Sequence, residues 1–307
     1  MSINIRDFEP ADAVGVADVF RAAMPYHVLT AEAVAWQATS APEAQRYRLF
    51  VAEDDGGIIG AARTGLLFET DEPGLAFANV SVHPERRGRG AGTALLTAAE
   101  EYLAGLDART VHSWVGGDPG STAFAERHGY QRGRRACFQR LDIASRALRP
   151  APAPRDVVRL VTAVEFATDP RPLYEADLAA ARDEPGDVAT VEISYEDWLA
   201  LYWDRPDFDQ GLSTVAMVED VVAAFTIVAA DGRDRYWSGM TGTRREFRGQ
   251  GLAKLVKHDS LRRARAGGYR WAFTNNDAAN EPMLAINRWF GYRPVAEEWR
   301  YRRSLSG

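Results

Sequence analysis

The 307-residue sequence contains one cysteine, Cys137. A single thiol excludes an internal disulfide framework and suits a reducing cytoplasm. Long hydrophobic runs are also missing, and the N-terminus lacks a basic region followed by an apolar one, so neither a membrane span nor secretion is expected. The five histidines show no metal-ligand spacing, and no metal is expected. We therefore expect a cytoplasmic protein that does not act on a membrane.

An excess of positive charge is absent as well. The formal net charge is −6 at pH 7, which argues against general nucleic-acid binding. The arginine clusters, such as the one at Arg300, Arg302 and Arg303, are interpreted as solvated faces. A chain of 307 residues can hold two domains, each with its own core. The composition predicts a soluble globular protein, either a monomer or a homodimer.

One short glycine-rich pattern occurs twice in the chain. The copies are Arg87-Gly88-Arg89-Gly90-Ala91-Gly92 and Arg248-Gly249-Gln250-Gly251-Leu252-Ala253. Each copy follows an apolar run that predicts a strand, and each opens an amphipathic run that predicts a helix. A glycine-rich turn in this place points unpaired backbone N–H groups and the positive end of the helix dipole at one spot. The pattern indicates an anion site, most often one for phosphate.

The spacing within the pattern narrows the choice of phosphate ligand. Neither copy has the lysine of a P-loop, and Thr93 and Lys254 stand where a dinucleotide fingerprint needs its third glycine. Both copies fit Arg-x-x-Gly-x-Gly/Ala, which resembles the pyrophosphate-binding motif of the GNAT acyl-CoA-dependent N-acyltransferases. The preceding residues 80–85 and 240–243 look like the end of the fourth strand of that family.

The repeat extends beyond the motif and predicts a duplicated domain. Arg87 and Arg248 are 161 residues apart, and the later pairs Gly129-Tyr130 and Gly291-Tyr292 are offset by 162. The expected domains are residues 1–145 and 155–307. Between them, the alternating prolines of a Pro/Ala linker at 146–154 block both helix and strand ladders. The order of predicted elements indicates an α/β (α+β) fold in which each domain has a mixed, mostly antiparallel sheet flanked by helices. This tandem arrangement is similar to that of the mycothiol synthases.

The resemblance implies acetyl-CoA as the cofactor. Backbone N–H groups of residues 88–93 and 249–254 would hold its diphosphate, and strand residues would pair with its pantetheine arm as an added strand would. Asn280 fits the position of an asparagine that binds this arm in many family members, although it also fits a helix N-cap. The predicted cofactor-binding residues are Val80, Val82, Arg87, Gly88, Arg89, Gly90, Ala91, Gly92, Thr93, Thr241, Thr243, Arg248, Gly249, Gln250, Gly251, Leu252, Ala253, Lys254 and Asn280.

The expected chemistry is direct attack by an amine on the thioester, which requires a base to take a proton from the alkylammonium. Many family members use a tyrosine as the general acid, but Ala125 and Asn287 stand at that position in the two copies. Asn287, Glu281 and Glu196 are the predicted catalytic residues. Further carboxylates that could serve as the base are Glu192 and Asp231 in the second half and Glu69, Asp71 and Glu72 in the first.

The acceptor is predicted only as a class. Trp198 and Trp203, beside Tyr195 and Tyr202, would form either core or an aromatic wall for a small-molecule acceptor. The predicted function is N-acetyl transfer to a primary amine of a small molecule, with the C-terminal domain as the expected catalyst. A non-catalytic acyl-CoA-binding sensor or partner module and a protein N-acetyltransferase remain alternatives. An aminoglycoside, an amino acid, a polyamine and a mycothiol precursor all stay open as acceptors.

Overall fold

The computed structural model describes residues 3–145, 147–151, 157–183, 185–186, 188 and 191–305. Their strands are β1 (Asn4–Asp7), β2 (Arg48–Asp54), β3 (Gly57–Leu66), β4 (Leu75–Val82), β5 (Thr110–Gly116), β6 (Gln131–Asp142), β7 (Val158–Thr162), β8 (Thr214–Val218), β9 (Val221–Ala230), β10 (Arg235–Thr243), β11 (Trp271–Asp277) and β12 (Arg293–Ser304). Their α-helices are α1 (Ala13–Ala23), α2 (Ala31–Ser40), α3 (Ala91–Ala104), α4 (Pro119–Arg127), α5 (Arg171–Ala181), α6 (Tyr195–Trp198), α7 (Leu252–Ala266) and α8 (Glu281–Phe290). No helix in these ranges is long and apolar enough to cross a membrane.

The chain forms two compact units. Unit 1 consists of Met1–Cys137, Asp187–Ile193 and Ala296–Gly307. Its strands follow the order β1-β2-β3-β4-β5-β12, in which β4 and β5 are parallel and the other paired neighbours are antiparallel. Helix α3 packs on β3 and β4. Unit 1 is therefore a mixed, mostly antiparallel sheet with helices packed on it.

Unit 2 consists of Phe138–Gly186 and Ser194–Val295. Its strands follow the order β6-β11-β10-β9-β8-β7, with β10 and β11 parallel. The pairs β10–β9, β9–β8 and β8–β7 are antiparallel. The predicted fold, a mixed sheet flanked by helices in each half, is confirmed. Strand β7 was not predicted, because its five residues form a short strand at the end of the sheet directly after the proline-rich segment.

The two closing strands are exchanged relative to the order of the sequence. Residues 296–304 of β12 belong to unit 1, where Glu298 lies opposite Gly116 and Ser304 opposite Thr110 in an antiparallel ladder with β5. Residues 138–142 of β6 belong to unit 2. The periodicity of a strand says which face is buried, but it does not say which strand is its neighbour. The boundaries 1–145 and 155–307 thus stay a prediction about the duplicated segments, and linker residues 146 and 152–154 lie outside the described residues.

Matching apolar faces build the two cores. In α3, Leu95, Leu96, Ala99 and Leu103 are buried against the strands of unit 1. In α7, the buried side chains Leu252, Leu255, Val256 and Leu261 pack into the cores of unit 2. Each fully buried leucine or valine contributes about 1.5–3 kcal/mol to folding. The helices that follow the two glycine loops are thus held firmly against the strands that precede them.

Candidate functional site

Both glycine loops have the geometry of an anion site. Gly88 and Gly90 have φ angles of 77° and 94°, and Gly249 and Gly251 have 75° and 79°. This left-handed conformation strains any residue with a Cβ. Gly90 and Gly251 are the N-caps of α3 and α7, and neither helix has a side-chain cap. The first N–H groups of both helices are therefore open to a ligand.

The arginine that opens each loop is also placed alike. Arg87 Nε donates to the carbonyl of Val82 at 3.4 Å, and Arg248 Nε donates to that of Thr243 at 3.1 Å. In unit 2, Arg248 Nη2 also donates to Asp183 Oδ2 at 2.5 Å, and Arg245 pairs with the same carboxylate. These two arginines hold the pKa of Asp183 well below its usual range. The positive groups beside the second loop thus already bind one anion.

A cavity of about 770 Å³ opens beside the second loop, entirely within unit 2. The lining elements are the C-terminal part of α5, the segment 198–208, strands β9 and β10, the loop with the start of α7, and the start of α8. A volume of this size is ordinary for a site that holds a small molecule or cofactor. The loop and a cavity of ligand size are therefore parts of one site.

A β-bulge in β10 forms part of the wall of this cavity. Along β10 and β9, Thr241 lies opposite Thr226 and Ser238 opposite Val228, so Gly239 and Met240 together face the single residue Ile227. Gly239, Met240 and Ile227 all line the cavity. A bulge removes backbone groups from the regular ladder. The bulge therefore interrupts the regular ladder of β10 at the surface of the cavity.

Beyond this point β10 and β11 separate. Their parallel register runs from Arg235–Trp271 to Trp237–Phe273, and Asn275 and Asn276 farther along β11 line the cavity. The space between two diverging parallel strands exposes unpaired backbone groups that an extended ligand can use. Thr241 and Thr243, the strand residues predicted to flank such a ligand, both line the cavity.

Unit 1 differs in both respects. Strands β3 and β4 pair without a shift from Gly60–Val82 to Leu66–Ala76. The side chain of Asn79 fills the opening between β4 and β5, because its Oδ1 accepts from the N–H of Trp114 at 2.8 Å. The hydroxyl of Tyr26 lies close to the end of β5, since it would be 3.9 Å from a Cβ added to Gly116. The predicted cofactor residues Val80 and Val82 therefore lie in an unbroken ladder.

An aromatic wall lies along the cavity. Trp198, Tyr202, Trp203 and Phe208 line it, and the rings of Trp198 and Trp203 stack with centroids 5.8 Å apart. Trp198 Nε1 donates to Asp177 Oδ2 at 2.8 Å, which fixes a carboxylate of α5 in the same wall. The segment predicted to be an acceptor wall is thus part of the cavity, and its role stays a prediction.

A partly buried ion pair is also part of the lining. Arg205 Nε and Nη2 donate to Asp207 Oδ1 at 2.9 Å and Oδ2 at 2.7 Å. The side chain of Asp207 is fully buried, whereas that of Arg205 is 36% exposed. The carboxylate therefore holds the guanidinium in one orientation at the surface of the cavity.

Most predicted cofactor residues of the second copy meet in this cavity. Those that line it are Thr241, Thr243, Arg248, Gly249, Gly251, Leu252, Ala253, Lys254 and Asn280. Gln250 is not part of the lining. Asn280 caps α8, since its Oδ1 accepts from the N–H of Met283 at 3.3 Å, and it also faces the cavity. Both interpretations of this asparagine thus agree with its position.

The predicted catalytic residues lie elsewhere. Asn287 is fully buried, and its Nδ2 donates to Gln139 Oε1 at 2.9 Å and Asn276 Oδ1 at 2.7 Å. Glu281 pairs with Arg288 on the surface, and Glu196 is exposed in the first turn of α6. None of the three is part of the cavity lining as far as the structure describes it. Asn287 can act on a ligand only through Asn276, so a catalytic role for any of the three stays a prediction without geometric support.

The other carboxylates considered from the sequence are also outside the lining. Asp231 accepts backbone N–H bonds from residues 233–235 in a turn, and Glu192 is exposed. Glu69, Asp71 and Glu72 belong to unit 1. Sequence reasoning missed Asp177, Arg205 and Asp207. One sequence pattern could have indicated Asp177. Asp177, Ala180 and Ala181 follow i, i+3, i+4 spacing, which places a carboxylate and two small residues on one face of a helix.

Comparisons with known proteins identify the family of the chain. Residues 16–130 match the profile of the Acetyltransferase (GNAT) family. The mycothiol acetyltransferase of Clavibacter michiganensis subsp. michiganensis is 30% identical over 262 residues, which cover 83% of this chain and 80% of that protein. That of Geodermatophilus obscurus is 39% identical over 148 residues, 46% of each chain. The chain belongs to the GNAT family. It is therefore an acetyltransferase, and acetyl-CoA is the acetyl donor of its family.

Two solved GNAT structures share the fold over nearly the full length of the chain. A tandem GNAT protein from the clavulanic acid biosynthesis pathway superposes with a TM-score of 0.75 at 22% identity, covering 100% of this chain and 99% of that one. A GCN5-related N-acetyltransferase from Sphaerobacter thermophilus superposes with a TM-score of 0.67 at 22% identity, covering 99% and 96%. These likenesses establish the tandem GNAT fold. The family profile covers the first copy, whereas the cavity lies in unit 2.

Proposed function

We propose that unit 2 transfers an acetyl group from acetyl-CoA to a primary amine of a small molecule. The observation that carries this proposal is the single cavity that joins the uncapped N-terminus of α7 to the bulge at Gly239 and Met240. The first feature suits a diphosphate and the second suits the carbonyl of a thioester. An acetyltransferase needs both at the two ends of one extended donor.

The donor would lie along β10. The N–H groups at the start of α7 bind the diphosphate, with Arg248 and Lys254 as cations beside it. The pantetheine arm pairs with the backbone of Thr241 and Thr243 in the opening between β10 and β11, and Asn280 binds it from α8. The N–H groups freed by the bulge polarise the thioester carbonyl.

The reaction is a direct transfer. The nitrogen of the neutral amine attacks the thioester carbonyl, the new C–N bond forms, and the C–S bond breaks to release the CoA thiolate. The ammonium loses one proton before attack and a second as the amide forms, and one of these protons ends on the thiolate. Asp177 is the base in this proposal, because it lines the cavity and Trp198 Nε1 holds its carboxylate in the aromatic wall. Asn287 positions Asn276.

Unit 1 takes a structural role in this proposal. Its loop has the same geometry as the second, but its strands are paired without a bulge and the Asn79 side chain bridges the opening. An acyl-CoA arm would therefore meet the Asn79 side chain in this opening, and no bulge supplies N–H groups for its thioester carbonyl. The C-terminal half carries the reaction, as the sequence also predicts.

The acceptor in this proposal is a small molecule, because aromatic side chains form much of the wall of a cavity of ligand size. The relatives named mycothiol acetyltransferase make the amine of a mycothiol precursor one member of this class. A protein acceptor would need a groove that admits a peptide chain, whereas the buried rings of Trp198 and Trp203 take up part of the wall here.

The proposal is tested by incubating the full chain with acetyl-CoA and a panel of primary amines. Release of thiol and the mass of the N-acetyl product are measured together. We expect both to rise in step for at least one amine. Tight binding of acetyl-CoA without thiol release from any amine would instead support the non-catalytic sensor, and acetylation of a peptide but not of small amines would support the protein N-acetyltransferase.

A further inference from the structure

The Arg205–Asp207 pair lies in a turn that is already built by backbone bonds. The N–H of Phe208 donates to the carbonyl of Arg205 at 3.1 Å. The N–H of Asp209 donates to the carbonyl of Val228 at 2.8 Å, and the N–H of Ala230 donates to that of Asp207 at 2.9 Å. These bonds tie the turn to β9 without the two side chains. A buried ion pair is weak evidence for stability, since desolvation offsets much of its attraction. The pair therefore needs a reason other than the fold.

Its geometry leaves part of the guanidinium available. Asp207 takes one N–H from Nε and one from Nη2. An arginine has five N–H donors, so three remain, two of them on Nη1. Among the residues that the structure describes, Nη1 has no hydrogen-bond partner, and Arg205 lines the cavity. The remaining donors form a fork that matches a carboxylate or phosphate.

The position of Arg205 along the site separates it from the donor. Phe208 bridges Ala229, and Ala229 lies opposite Trp237 on β10. The phosphate loop follows Thr243, six residues farther along that strand, which is about 20 Å at the rise of an extended chain. The bulge at Gly239 and Met240 lies between them. Arg205 is thus on the far side of the reacting carbonyl from the diphosphate, where the acceptor must lie.

We infer that Arg205 binds an oxyanion of the acceptor, so that the substrate is a primary amine that also carries a carboxylate or a phosphate. The inference rests on the proposed function and narrows its acceptor class. The guanidinium holds the anionic end against the aromatic wall and leaves the amine end facing the bulge. Polyamines and simple alkylamines lack an anionic end, so they are poor acceptors.

The test compares matched amines on the wild-type protein. The carboxylate arm uses β-alanine, γ-aminobutyrate and 6-aminohexanoate against n-alkylamines of equal carbon number, and the phosphate arm uses phosphoethanolamine against ethanolamine. We expect kcat/KM to be at least about tenfold higher for one anionic set, because charge-assisted fork contacts add roughly 1.5–3 kcal/mol. Equal kcat/KM for anionic and neutral amines in both arms overturns the inference.

Variants locate the effect. Arg205→Gln should raise KM for the preferred anionic amine by about 10- to 100-fold and change that of the neutral amine by less than about twofold. Arg205→Lys should recover part of the loss, since it keeps the charge but not the fork. An equal change for both amines would mean that Arg205 only supports the turn and would overturn the inference. Unchanged acetyl-CoA binding by calorimetry is the control for folding.

A binding measurement separates this inference from the proposed function. Each anionic amine of the two arms is titrated into wild type and into Arg205→Gln, and both proteins are saturated with CoA. Loss of binding in the variant supports the inference even when no amine is acetylated. The proposed function fails when no amine releases thiol, whereas the inference fails when the anionic amine binds both proteins alike.

Discussion

The two halves of the molecule carry the same glycine loop on different strands. Gly88 and Gly90 repeat the left-handed geometry of Gly249 and Gly251, and both following helices lack a side-chain cap. Among the described residues, the second loop adjoins a bulged strand and a cavity that this strand lines, whereas β4, which precedes the first loop, pairs with β3 without a bulge. The comparison teaches that two loops of the same geometry follow strands of different regularity, and in our proposal the bulge in β10 is what makes the second loop part of an acyl-donor site.

One inserted residue accounts for much of the difference. After the bulge the two copies are offset by 161 residues, as for Val82 and Thr243, whereas before it Phe77 and Trp237 occupy equivalent register positions 160 apart. Met240 stands at the position of Asn79, counted with the offset after the bulge. It has no amide oxygen with which to bridge two strands as Asn79 does. A single extra residue shifts backbone groups from the ladder into the cavity.

The largest effect is expected from closing one loop at a time. Gly251→Glu places a Cβ at a φ of 79° and a negative charge at the phosphate site, so acetyl-CoA binding should weaken by about 100-fold or more, about 2.8 kcal/mol. Gly90→Glu, the matched variant in unit 1, should leave calorimetric affinity and a stoichiometry of one unchanged. Loss of binding in the Gly90 variant instead would reverse the assignment of the two halves.

The next effect concerns the carboxylate in the cavity of unit 2. Asp177→Asn keeps the shape of the side chain but removes a base, so kcat should fall by about 10²- to 10³-fold. Acetyl-CoA affinity should be unchanged. Glu175→Gln, on an exposed position of the same helix, is the control and should retain full activity. An active Asp177 variant would exclude this residue as the base.

A third difference lies under the two loop helices. Lys257 occupies the position of Leu96, and Tyr292 that of Tyr130, yet Tyr130 donates to Glu100 at 2.8 Å while Lys257 lies over the Tyr292 ring at 5.0 Å. Burial lowers the pKa of Lys257 from 10.5 to about 7. Between pH 7 and 10.5 the unfolded chain therefore keeps a proton on Lys257 that the folded chain has lost. Because the unfolded state binds more protons, the free energy of unfolding should rise with pH across this window.

Lys257→Leu should remove this pH dependence. We expect urea denaturation to show a gain on the order of a few kcal/mol near pH 6, where the cost of burying the charge is full, and almost none above about pH 10. Leu96→Met, a volume-conserving change at the matched site of unit 1, should show no pH-dependent gain. A gain independent of pH would assign the effect to packing.

The smallest effect is expected at the bridge in unit 1. Asn79→Ala removes the acceptor of the Trp114 N–H, which should cost about 1–3 kcal/mol of stability in urea denaturation. The stoichiometry of acetyl-CoA should stay at one, because β4 still has no bulge. A second binding event in this variant would show that the side chain alone closes the first site.

The local features of the candidate site could be predicted from the sequence. The side chains that line its cavity could be predicted only in part. The loops, the strand residues Thr241 and Thr243 and the cap Asn280 follow from a motif whose chemistry is local. Asn287 was placed by analogy with a catalytic position, but the structure buries it between Gln139 and Asn276. Asp177 and Arg205 reach the cavity through the packing of α5 and of a turn on β9, which no motif records.

The sequence by itself determined the duplicated fold, the glycine turns and the helices after them, because periodicity and φ preferences act within a few residues. Tertiary structure decided which strand closes each unit, where β10 bulges and which carboxylates face the cavity. These depend on pairing between distant residues, such as Glu298 with Gly116 or Ile227 with Gly239 and Met240. Local propensity is the same for any of the possible partners, so only the assembled sheet selects among them.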